Sequence, residues 1–60
     1  MTKSYVIQNM ETMLFLKPMS TTEYGSFKQA GTWDTENSAL SWIQDIKNIH
    51  FCIFPVYIKY

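Results

Sequence analysis

Cys52 is the only cysteine of a 60-residue chain, and that count constrains the fold more than any motif. One thiol cannot close an internal disulfide, the staple on which many small secreted domains depend. A chain of about 60 residues buries only about 60% of the surface its unfolded form exposes, so such domains are marginal. Stability must then come from aromatic-rich packing, from oligomerisation or from a partner. The composition provides for packing, because 47% of the residues are apolar and 17% aromatic. That is too apolar for a disordered segment. The expectation is a single domain over residues 1–60 in a reducing, cytoplasmic setting.

Charge removes several classes of function. Five lysines balance five acids and there is no arginine, so no net field draws in nucleic acid or an anionic membrane. The side chain best suited to bidentate phosphate and guanine contacts is missing. Zero net charge also excludes acidic mimicry of nucleic acid. The first nine residues, Met1 to Asn9, contain no apolar stretch of signal-peptide length and no small-residue cleavage site. The longest apolar run, Ile49 to Ile58, holds ten residues and includes His50 and Pro55. A membrane-spanning helix needs about 18 or more.

Alternation in Lys3–Gln8 predicts a strand, with Tyr5 and Ile7 on one face and Val6 and Gln8 on the other. Asn9 to Thr12 reads as a hairpin connection and Met13–Lys17 as the return strand, ended by Pro18. Met19 to Ser26 reads as a polar surface loop, and Phe27–Ala30 as a short third strand before Gly31. Ala39, Trp42, Ile43 and Ile46 recur at i, i+3, i+4 and i+7, the stripe of an amphipathic helix within Thr32–Asn48. Asp34 or Thr35 serves as its N-cap, and Asn48 closes it in a left-handed conformation. Ile49 to Tyr60 is the last strand. Its aliphatic parity shifts at Pro55, which predicts a bulge or bend there and an edge position. The order β-β-(β)-α-β predicts an α+β fold, in which one helix packs on one face of a small, mainly antiparallel sheet of three to four strands.

The pattern resembles small accessory proteins encoded by bacteriophages. The matching positions are Tyr5, Ile7 and Asn9, then Phe15 and Leu16, then Ala30, Trp33 and Thr35, then Ala39, Trp42 and Ile43, then the closing strand. Pro55 and the Met19–Ser26 loop depart from the pattern. The resemblance implies a host-takeover or anti-defence protein in the host-cell cytoplasm, acting on host machinery by binding. It carries over no catalytic residue.

No constellation points to catalysis or to a cofactor. His50 and Cys52 share a face of a regular strand, but structural zinc needs four ligands and no other Cys or His exists. Serines, His50 and the acids match no recognised catalytic spacing, and Gly25 and Gly31 form no phosphate-cradling loop. Aromatics on a sheet can stack bases, which makes single-stranded nucleic acid the runner-up. The scattered lysines 3, 17, 28, 47 and 59 give that mode a poor electrostatic groove. Protein binding is left as the leading class. A single helix covers one sheet face, so the other must present apolar side chains. Trp33, Trp42, Phe51 and Ile53 are expected to fill the core. Phe15, Tyr24, Tyr57 and Tyr60 are the candidate protein-binding residues. The expected partner is a protein, host or viral, with homo-oligomerisation, and the expected action is inhibition by occlusion.

Overall fold

A computed structural model describes residues 2–58, so Tyr60 of the candidate set lies outside the described residues. Five regular elements run in the order β1 (Thr2–Asn9), β2 (Phe15–Leu16), β3 (Tyr24–Gly25), α1 (Glu36–Ile43) and β4 (Phe51–Ile58). The strands form one antiparallel sheet in the order β3-β2-β1-β4, with α1 on one face. The expected α+β class is the observed one.

β1 is the central long strand, and both of its faces are covered. Ile7 is fully buried on the helix face and Val6 is 2% exposed on the opposite one. At its end the chain reverses around Asn9. The Asn9 Oδ1 accepts from the backbone amides of Glu11 (2.9 Å) and Thr12 (3.4 Å). The Asn9 amide donates to the Leu14 carbonyl at 2.8 Å, and Met13 takes the left-handed φ of 64° that completes the reversal. Asn9 is buried, and these bonds satisfy a polar group that would otherwise be costly there.

β2 is only two residues long because Pro18 lacks a donor and starts a turn. The Ser20 amide donates to the Lys17 carbonyl at 3.3 Å, with Pro18 and Met19 (φ 56°) at the turn's centre. That is a type II arrangement. The Lys17 amide then donates to the Glu23 carbonyl at 2.9 Å, which lays Tyr24–Gly25 beside β2. The third strand therefore lies inside the expected polar loop. Phe27–Gln29, expected as a strand, is a 3-10 turn. Its cause is local: the Gln29 side chain accepts from the Ser26 amide (3.1 Å) while the Gln29 amide donates to the Ser26 carbonyl (2.9 Å). The chain then returns to the edge of β1 that short β2 leaves open. There Gly31 donates to the Leu16 carbonyl at 2.9 Å, and Trp33 exchanges two backbone bonds with Tyr5.

α1 begins where Thr35 accepts from the Ser38 amide at 3.0 Å, with Glu36 favouring the positive end of the helix dipole. It is shorter than the periodicity predicts. A tighter i-to-i+3 bond from the Ile46 amide to the Ile43 carbonyl (3.0 Å) ends it. Ile46 thus extends the apolar stripe from outside the helix. Asn48 is left-handed as expected (φ 66°), but it redirects the chain into β4 rather than capping α1. Ala39, fully buried, lets the helix approach Ile7 and Leu16 closely. Tyr5, Tyr24, Trp33, Trp42, Ile43, Phe51 and Ile53 pack around that centre. The Trp33 and Trp42 rings lie 5.9 Å apart, and the Trp42 Nε1–H donates to the Ser20 carbonyl at 2.9 Å.

The bulge expected at Pro55 is absent. β1 and β4 pair in one unbroken register from Thr2 opposite Ile58 to Asn9 opposite Phe51. The reason lies in the hydrogen-bond directions. Tyr5, the residue opposite Pro55, directs its N–H and C=O to Trp33, away from β4. Pro55 therefore faces β1 at a non-bonded position, where a missing N–H costs no ladder bond.

Candidate functional site

The same alternation defines what β4 presents outward. Odd residues of β1 bond towards β2 and Trp33, as the Asn9–Leu14 and Tyr5–Trp33 bonds show; even positions bond towards β4, as the 2.8 Å bond from the Met10 amide to the His50 carbonyl shows. On β4 the even residues Cys52, Phe54 and Val56 therefore bond inward to β1. Phe51, Ile53, Pro55 and Tyr57 direct their backbone groups off the sheet. Among the described residues no strand occupies that side. The outer edge offers the amides of Phe51, Ile53 and Tyr57 and the carbonyls of all four residues.

Phe54 is 38% exposed and Tyr57 64% exposed. Beside them, on the face away from α1, runs an open groove lined by Val6, Ala30, Val56, Tyr57, Phe27 and Lys28, with Thr32 at its margin. Phe27 stands over this face, its ring edge-on to Phe15 at 5.3 Å. Val6 is buried because the Phe27–Ala30 segment folds across it, on the side the helix does not reach. A second shallow groove follows α1 on the other face, between Leu40, Ile43, Ile46 and Phe51. None of the described residues lining these grooves is a histidine, cysteine or carboxylate. Among the described residues no three His, Cys, Asp or Glu side chains gather closely enough to hold a metal ion. His50 lies before β4 and is exposed, while Cys52 is half-buried within it.

The structure distributes the candidate residues rather than gathering them. Phe15 is half-buried on the face away from α1, and Tyr57 stands at the β4 edge. Tyr24 sits on β3, at the opposite edge of the sheet, packed against the core with its hydroxyl buried and unpartnered among the described residues. Phe27 and Phe54 belong to the apolar surface and were not singled out. Phe54 could have been read from its place beside an edge proline; Phe27 follows from a side-chain bond by Gln29 that no periodicity reports.

Charge near this surface is sparse. The Lys3 ammonium lies 5.5 Å from the Tyr5 ring centre. Its pKa is raised above 10.5, first by a hydrogen bond with Tyr5, then by the phenol charges of Tyr5 and Tyr57. A raised pKa adds stability that is present below the unfolded value and lost as pH climbs through the folded one. Lys3 therefore stays cationic across the neutral range.

Comparison with known protein families, with functionally described proteins and with solved structures gives no match to this chain. No described helix is long and apolar enough to cross a membrane.

Proposed function

We propose that this chain is a non-enzymatic protein-binding module that associates through the outer edge of β4 and the apolar surface beside it. One observation carries the reading: an eight-residue strand, Phe51–Ile58, with no charged side chain, lies at a sheet edge. Folded proteins ordinarily blunt such edges with short strands, lysines, inward charges or covering loops. Here Pro55 is the only such device on the strand, and it removes one donor. Main-chain pairing along an edge, with neighbouring side chains for selectivity, is a standard mode of protein recognition. The aromatic residues beside it are of the types enriched in interface cores. The resemblance to phage accessory proteins makes a protein of the infected cell the natural target of the apolar surface, inhibited by occlusion, while the edge itself is open to any complementary strand, another copy of the chain included.

Sizing of the purified chain, alone and with bacterial lysate, tests this together with amide exchange. Association should protect the Ile53 and Tyr57 amides. Tyr57→Ala should weaken association while shifting the melting temperature little, because that side chain is mostly exposed. A chain that captures no protein and does not self-associate, yet shifts labelled single strands in a salt-sensitive way, would establish the nucleic-acid reading instead.

A further inference from the structure

We infer that the occupant of the β4 edge is a second copy of this chain, paired antiparallel about a twofold axis at Phe54. This rests on the association through β4 proposed above and names its partner.

The strand's own hydrogen-bond pattern selects that register. Only odd positions point outward, so an antiparallel copy must pair odd residues with odd residues. With the axis at Phe54, Phe51 faces the partner's Tyr57 and Ile53 faces the partner's Pro55. Each pairing occurs twice by symmetry, which makes eight donor–acceptor slots, and Pro55 leaves two of them unfilled, so six bonds form. Centring the axis on Ile53 or on Pro55 leaves four within the strand by the same count. The fullest overlap of the two strands thus sets the register; Pro55 removes two bonds from each of these three alternatives and blunts the edge without choosing among them.

Side chains agree with this arrangement. β4 carries no charge, so self-pairing brings no like charges together. Phe54 meets its own copy in a non-bonded cross-strand pair, where side chains approach most closely. Exposed Tyr57 lies beside the partner's Phe51 in the paired register. An axis perpendicular to the sheet gives one continuous eight-stranded sheet, β3-β2-β1-β4 joined to its copy, with both helices on the same side. An edge of eight residues is about 26 Å long and roughly 10 Å deep. With Phe54 and Tyr57 covered, the two copies bury about 900 Å², at the low end for interfaces and suited to a reversible dimer.

Sedimentation of the chain from about 10 µM to 1 mM, the range for so small an interface, should show a concentration-dependent dimer. Cys52→Ser combined with Phe54→Cys should cross-link across the axis under mild oxidation. Cα atoms in such a pair lie about 4.5 Å apart, within disulfide range. Tyr57→Pro removes an amide that bonds to nothing in the single chain, so it should leave the melting curve in place and weaken dimerisation at least tenfold. Should the Phe54→Cys variant fold poorly, protection of the Phe51, Ile53 and Tyr57 amides in the unaltered chain at high concentration gives the same answer. A chain monomeric throughout, with those amides protected only by a second protein, overturns self-pairing and leaves the protein-binding reading standing. A dimer indifferent to Tyr57→Pro, with the three amides unprotected, overturns both.

Discussion

Gly31→Ala should cost about 2 kcal/mol, although alanine is the smallest possible addition. Gly31 is buried and its φ is not positive, so its role is closeness rather than backbone freedom. A Cβ there would lie 2.8 Å from the Pro18 Cα and 2.9 Å from the Pro18 nitrogen, both backbone atoms of a turn. Relief requires moving that turn or stretching the 2.9 Å bond from the Gly31 amide to the Leu16 carbonyl. Overpacking typically costs about 1–3 kcal/mol and a lost bond about 1 kcal/mol. Against this, the stiffer unfolded chain returns about 0.4–1 kcal/mol. In a domain of this size about 2 kcal/mol lowers the melting temperature by roughly 8–16 °C. Gly25→Ala is the internal control. Its Cβ would meet the Lys17 Cε and the Gln29 carboxamide, ends of flexible side chains; moving Gln29 gives up its exposed bond to the Ser26 amide, so the loss should be about 1 kcal/mol, less than at Gly31. Thermal unfolding followed by circular dichroism compares the two. If Gly31→Ala melts with the parent, or Gly25→Ala is the more damaging, the close approach of residue 31 to the Pro18 turn is not a constraint and the argument fails.

Two further substitutions test local claims. Met19→Gly should raise stability by about 0.5–1 kcal/mol, measured by urea unfolding, because an exposed methionine there holds a left-handed φ of 56° that glycine adopts without strain. Tyr24→Phe should be neutral or stabilising by up to about 1 kcal/mol, since it removes a buried hydroxyl without a partner among the described residues; a clear loss of stability would show that the hydroxyl is satisfied.

The long elements were legible in the sequence because each has a period and a tertiary role that agree. Tyr5 and Ile7 alternate with Val6 along β1, and Ala39, Trp42 and Ile43 mark the buried stripe of α1. The short elements were hidden because single bonds determine them. Tyr24–Gly25 becomes a strand through the Lys17–Glu23 bond, and Phe27–Gln29 becomes a turn through Gln29 and Ser26. Pro55 misled for a related reason. Aliphatic parity along β4 suggested a slip, whereas proline's effect depends on which way its neighbour across the ladder directs its backbone, and Trp33, far away in the chain, decides that. The edge character of β4, and with it the exposure of Phe54, was legible from Pro55; that Phe27 stands over the same face was not.

The pairing of β1 with β4 has a consequence during synthesis. The central strand emerges first, yet the ladder along its β4 side waits for Phe51–Ile58. Contacts so distant along the chain form slowly. Until those residues have left the ribosome, β1 lacks its main neighbour and leaves Tyr5, Val6 and Ile7 beside an unpaired backbone edge, the kind of transient surface that invites wrong pairings.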